Sequence, residues 1–468
     1  MNGTRLTLLL VFILVVGQAC SPTEERGPRG RLPAVVNGTT VIRARPIQPR
    51  LIEFGFDVPS AGFIASHISE MERQPFDGLV FRPGPPDVFR QAFDVQPWSA
   101  KDLHLGTLRK ISWGRFTDNF LHLYGASFSS MDWFDDEHWR TITSNMRMYR
   151  RAVEACGCVG VAFDPEHYGG LNPWAYTPSA YGQRSFENVQ DEVRARGAEF
   201  IGALQRSNGR LTLLFFFLLG HVRHDLARGI SLPDSRYALL PAFLDGILDA
   251  AKPGLTIVDG NEDAYQYVDT NQFFGGAAGI RAAAELLLPE NRAAYRARVQ
   301  VGSALFVDRV LTENPDDYRR MQWDHNVYMA LATSDRFVWC YSQEPDWWKG
   351  DLFRGSGAGI RHARARLDAL EPLGYDLAAA SGESSVMELP SVSVTVSSTV
   401  HPRIIVQVRG SDILRVDLYR SGEPIGSDER APYRFDLNDL TGTATFIARA
   451  FDAQGGHGTS APIRISVP

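Results

Sequence analysis

The sequence predicts an α/β chain, a (β/α)8 TIM barrel followed by a small all-β sandwich. Three observations carry that prediction. Eight short apolar runs recur between Leu51 and Tyr341, separated by segments of helical period. Acidic residues stand at the carboxyl ends of six of those eight runs, where a barrel places its active site. After Tyr375 the helical period stops and alternating, β-branched runs take over.

The first strand is expected at 51–57 (LIEFGFD), and Pro59-Ser60 opens the helix behind it. Strands 2 and 3 are expected at 77–81 and 119–124, with a poorly defined segment between them. The segment 135–155 reads as a long helix. Strand 4 is Val159-Gly160-Val161-Ala162-Phe163-Asp164, small and apolar enough to be buried on both faces. Strands 5 to 8 follow at 211–219, 255–259, 299–307 and 336–341. An open doubly wound sheet is the competing arrangement, but it usually carries a Gly-rich turn after its first strand. Here that strand runs straight into Phe56-Asp57-Val58-Pro59. The barrel is therefore assigned to 51–380.

The sandwich is assigned to 388–468, with strands expected at 391–400, 404–408, 413–419 and 444–451. Its stretch Val416-Asp417-Leu418-Tyr419 through Gly422-Glu423-Pro424-Ile425-Gly426 resembles the immunoglobulin-like modules appended to secreted, glycan-active enzymes.

The first twenty residues read as a signal peptide. Arg5 supplies the positive charge and 6–16 is an apolar run too short for a comfortable membrane span. Gly17-Gln18-Ala19-Cys20 resembles a bacterial lipoprotein signal, with Gly17 where Leu is usual. That resemblance implies lipidation at Cys20. A Pro-, Gly- and Arg-rich stretch over 21–50 reads as a flexible tether. The expectation is an exported protein at the bacterial cell envelope, touching membrane only through that anchor, or otherwise periplasmic or secreted. The remaining cysteines, Cys156, Cys158 and Cys340, fit neither a disulfide scaffold nor a zinc spacing; Cys158 and Cys340 fall in expected strands, so buried thiols are expected there.

A net charge of -6 carries no basic field for nucleic acid. Nothing in the chain calls for an organic cofactor or a metal. His221-x-x-His224 with Asp225 could hold a metal, but strand 1 lacks the His-x-His that opens most barrel metal hydrolases. No Gly-x-Ser-x-Gly elbow is present for serine chemistry.

The end of strand 4 carries the sharpest chemical signal. Side chains alternate along a strand, so Gly160, Ala162, Asp164 and, if the extension continues, Glu166 share one face. Pro165 discourages further ladder pairing beyond it. Strand 6 ends Asp259-Gly260-Asn261-Glu262-Asp263, strand 7 in Asp308, and strand 8 leads to Glu344 and Asp346-Trp347-Trp348. Glycoside hydrolysis needs one carboxylic acid to protonate the leaving oxygen and one carboxylate to attack the anomeric carbon or activate water.

On Phe163-Asp164-Pro165-Glu166-His167-Tyr168 and Gly260-Asn261-Glu262-Asp263-Ala264-Tyr265, the chain resembles bacterial (β/α)8 glycoside hydrolases. The resemblance implies a polysaccharide or oligosaccharide substrate and a catalytic pair drawn from strands 4 and 6. Glu262 is then the acid/base and Asp164 the nucleophile or base, with Glu166 the alternate. Asp57, His167, Tyr168, His221, Asn261, Asp308, Glu344 and Trp347 become candidate substrate-binding residues. The chain lacks the common Asn-Glu at strand 4 and Glu at strand 7, which leaves the nucleophile open between Asp164 and Glu166. A non-catalytic, lipid-anchored carbohydrate-binding protein is the alternative.

Overall fold

The structure, a computed structural model, describes residues 49–85, 92–127, 131–168, 171–206, 209–369, 373, 377, 390–397, 403–420, 423–437, 442–453 and 457–467. The expected signal peptide, its Cys20 and nearly all of the expected tether lie outside them. Among the described residues no helix is long and apolar enough to cross a membrane.

Nine parallel strands form one sheet in the order β7-β6-β5-β4-β3-β2-β1-β9-β8. They are β1 (Arg50–Gly55), β2 (Gly78–Phe81), β3 (Phe120–Tyr124), β4 (Gly160–Asp164), β5 (Leu211–Phe215), β6 (Leu255–Asp259), β7 (Val299–Val301), β8 (Ser303–Phe306) and β9 (Phe337–Ser342). The extra strand comes from the seventh apolar run, which breaks at Gly302. β7 pairs with β6 and β8 pairs with β9, so one broken strand closes an eight-position barrel. At Gly302 a Cβ would lie 2.8 Å from the Asp259 carbonyl oxygen and 3.1 Å from that of Phe337, so only glycine fits between the two neighbouring strands. The fifth run also stops early. Beyond Phe216 the chain turns into α5 (Gly220–Ala227).

Inward side chains alternate along the strands and form their own core: Ile52 and Phe54, Val80, Phe120, Ala162, Leu214 and Phe216, Val258, Ala304, Phe337 and Trp339. Trp339 stacks on Phe216 at 4.3 Å and donates its indole N–H to the Gly260 carbonyl. Such a ring pair adds about 0.5–1.5 kcal/mol beyond the area it buries. The intervening residues face the helices in a larger outer core. Among the described residues, the segment after β2 holds only the four-residue α2 (Leu105–Leu108), which explains its weak sequence signal.

Helix α3 (Asp136–Cys156) starts on Asp135, whose carboxylate accepts the Glu137 and His138 N–H groups, and stops at left-handed Gly157. That turn brings the Cα atoms of Cys156 and Cys158 to 5.3 Å, and the two are joined in a disulfide. The expectation of buried thiols is corrected there and holds for Cys340 alone. A helix C-cap folds a chain back on itself, which the Cys-Gly-Cys spacing by itself does not display.

The C-terminal part is antiparallel throughout. One sheet is β10-β11-β14 and the other β13-β12-β15-β16, with β17 also on β15. The ranges are β10 (Ser391–Val396), β11 (Arg403–Arg409), β12 (Ile413–Arg420), β13 (Glu423–Asp428), β14 (Tyr433–Asp436), β15 (Gly442–Asp452), β16 (His457–Thr459) and β17 (Ile463–Val467). Ile404, Val406, Val416, Leu418, Phe435, Phe446 and Ala448 fill the space between the sheets. The sandwich is docked on the barrel. Arg415 pairs with Asp417 at 3.0 Å and lays its guanidinium over Phe451 and over Phe274, which belongs to α7 (Thr270–Ala282). Arg281 of α7 pairs with Glu429 at 2.9 Å.

Candidate active site

The carboxyl ends of β3, β4, β5 and β6 surround one acidic pocket mouth. Asp164 is the last residue of β4 and points inward, in step with Ala162. One of its oxygens accepts the Glu166 N–H at 3.0 Å, and the other lies 3.6 Å from Nε2 of His122 on β3. Pro165 ends the strand, so Glu166 reaches the mouth from a turn built on Asp164 and not from an extended continuation. The Tyr168 hydroxyl donates to Glu166, and the Tyr168 ring stacks on Tyr124 of β3.

Glu262 comes from the other side. Past β6 the chain turns through left-handed Asn261 into a short 3-10 turn, and the Glu262 N–H donates to the Phe216 carbonyl. Burial raises the Glu262 carboxyl well above its usual range, and the charges of Glu166, Asp164 and Asp263 add to it. Burial, then Asp164, pushes Glu166 up to about 8, against a smaller opposing pull from Arg236. Three carboxyls from two strand ends therefore share one field. Burial and mutual repulsion push the two glutamates toward the protonated form, which is the state a general acid requires.

Aromatic side chains wall this group. The phenols of Tyr237, Tyr265 and Tyr341 are all raised by burial, and each feels Asp164, Glu166 and Glu262. Phe56 is 57% exposed and meets the Tyr341 ring edge-on at 6.0 Å. His221, on α5, stacks on Tyr237 at 5.0 Å and is kept toward its neutral form by burial.

The remaining candidates do not converge with these. Asn261 holds its own turn, bonding Asp259 through its N–H and Tyr267 through its amide oxygen. His167 offers its carbonyl to Arg236 at 3.5 Å. Asp57 lies behind β1 beside the buried Glu53 and accepts the Trp347 N–H. Asp308 accepts the N–H groups of Gln343 and Glu344 and so pins the turn after β9, leaving Glu344 exposed. Trp347, a candidate substrate-binding residue, is fully buried, meets Phe76 edge-to-face and offers no face to a ligand. Asp225 is spent on Ser235 and Arg228, so it does not join His221 and His224 as a ligand. Among the described residues no group of three or more His, Cys, Asp or Glu side chains is placed to hold a metal ion.

Sequence reasoning missed Glu53, His122, Tyr124 and Arg236. His122 and Tyr124 alternate on β3 as Ala162 and Asp164 do on β4, and the same rule finds them. Arg236 sits in a turn before α6 (Leu240–Ala250) with no periodic signal.

No protein-family model matches the chain, and no curated protein matches it. Solved structures do. A modular endo-β-1,4-mannanase from Cellulomonas fimi is 13% identical over 90% of this chain and 94% of that one, with a TM-score of 0.35. A trimodular endoglucanase of the GH5_4 subfamily is 11% identical over 90% and 78%, with a TM-score of 0.41. Bacteroides uniformis β-glucuronidase 2 is 11% identical over 90% of this chain, with a TM-score of 0.36, and this chain spans 46% of its length. Likeness at this level carries no argument about activity.

Proposed function

We propose that the protein is an exported glycoside hydrolase acting on a polysaccharide or oligosaccharide outside the cytoplasm. The observation that carries this reading is the meeting of Asp164, Glu166 and Glu262 at the barrel mouth, where burial and mutual repulsion push the last two toward the protonated form. Glu262 gives its proton to the glycosidic oxygen as the bond to the anomeric carbon breaks. Asp164, oriented by the Glu166 N–H and faced by His122, attacks that carbon or takes a proton from the attacking water. Glu166, bonded by Tyr168, binds a sugar hydroxyl and stands as the alternate catalytic carboxyl. Exposed Phe56 takes a sugar-stacking role that the buried Trp347 cannot. The signal segment and Cys20 supply export and a lipid anchor.

The test is reducing-end release from a panel of neutral, sulfated and plant cell-wall glycans, with binding to the same glycans measured alongside. Release of new reducing ends supports the hydrolase. Saturable binding without release from any glycan supports the binding protein instead.

A further inference from the structure

An open hollow of about 470 Å3 lies beside the acidic mouth, lined by His221, His224, Ala227 and Arg228. It adjoins the acids through α5. His224 Nδ1 is 3.6 Å from Asp263, the residue after Glu262. His221 stacks on Tyr237, and the Arg236 guanidinium lies 5.6 Å from the centre of that same ring. His221 feels Asp263, His224, Arg236 and Asp225 together, which places all of them around one spot.

The charges there do not balance. Asp225 is already bonded by Arg228 at 2.6 Å and by Ser235 at 2.8 Å. Asp263 faces His224. Arg236 is exposed and has no ion pair among the described residues. Its single side-chain hydrogen bond is the long one to the His167 carbonyl. Glu166 is the mouth acid that feels Arg236, and burial and Asp164 push that carboxyl toward its neutral form, which weakens the pairing. A guanidinium in that position has free forked donors for a planar or tetrahedral oxyanion.

We infer that Arg236, with His221, His224 and Arg228, forms a subsite for an anionic substituent of the glycan, a carboxylate or a sulfate ester. The inference rests on the glycan-cleaving reading for its substrate, and its test does not use hydrolysis.

The probes are sodium sulfate and sodium acetate, titrated at constant ionic strength against sodium chloride and followed by the imidazole NMR signals of His221 and His224. The expected result is a saturable shift with sulfate or acetate and none with chloride. The anion that gives the tighter response tells a sulfate ester from a carboxylate. In Arg236→Gln, which removes an exposed side chain, the affinity should fall about tenfold, the loss of one charge-assisted hydrogen bond. No saturable shift with either anion, or an unchanged affinity in Arg236→Gln, overturns the subsite. An intact anion response in a protein that cleaves no glycan overturns the hydrolase reading and leaves the subsite standing.

Discussion

His122 and Asp164 stand on neighbouring strands, both facing the barrel interior, with Nε2 of one 3.6 Å from a carboxylate oxygen of the other. His122 is fully enclosed, with its ring edge-on to Phe54 at 5.0 Å, so it cannot swing aside. It therefore positions Asp164. Replacing it by Asn should lower kcat by up to about 10²-fold, the cost of a displaced reacting group, with a smaller change in KM. A change confined to KM would assign His122 to substrate binding.

The acids at the mouth feel one another's charge. Asp164 is one of the charges that hold the Glu166 proton. In Asp164→Asn that charge is gone, so the Glu166 midpoint should move down from about 8. Carboxyl 13C NMR on the two proteins reads this directly. An unmoved midpoint would mean that burial alone sets it. The same logic sets the basic limb of the activity profile. A general acid works while protonated, so the raised Glu262 should carry the basic limb to higher pH than an ordinary glutamate would allow.

Behind β1, Glu53 is fully buried, and its carboxyl is raised by burial first and by Asp57 second. Asp57 itself is pushed up to about 6. A carboxyl that holds its proton more tightly when folded contributes stability that is complete below the unfolded value of 4.5 and is lost as pH rises through the folded value. The melting temperature should accordingly fall from pH 5 to pH 8, and fall less in Glu53→Gln. Parallel melting profiles for the two proteins would show that Glu53 does not titrate in this range.

Arg415 joins the sandwich to the barrel. Its removal takes the ion pair from buried Asp417 and the cation from over Phe274 of α7. Arg415→Ala should cost about 3–5 kcal/mol, as breaking a buried pair does. Denaturant melts should still show one transition, because the two parts share that contact. A second transition, with the barrel unaffected, would make the sandwich an independent appendage.

The barrel was legible because its strands are apolar runs of regular spacing, and period-two alternation on strand 4 places Asp164 inward. Glu262 was legible as the acid after strand 6. What escaped depends on contacts distant in sequence. Trp347 looks like an exposed loop aromatic until Phe76 covers it. Asp57 sits at a strand end yet faces Glu53 on the outer side. The break at Gly302 follows from the squeeze between Asp259 and Phe337, which no local pattern records. Arg236 acts on Glu166 from the turn before α6, some seventy residues away in sequence.

The most direct measurement is kcat/KM for wild type, Asp164→Asn and Glu262→Gln on one cleaved glycan, with melting curves to confirm that each is folded. A catalytic pair predicts losses of at least about 10²–10⁴-fold in both variants, the usual worth of a positioned acid or base. Folded variants that keep wild-type turnover would contradict the assignment of chemistry to Asp164 and Glu262.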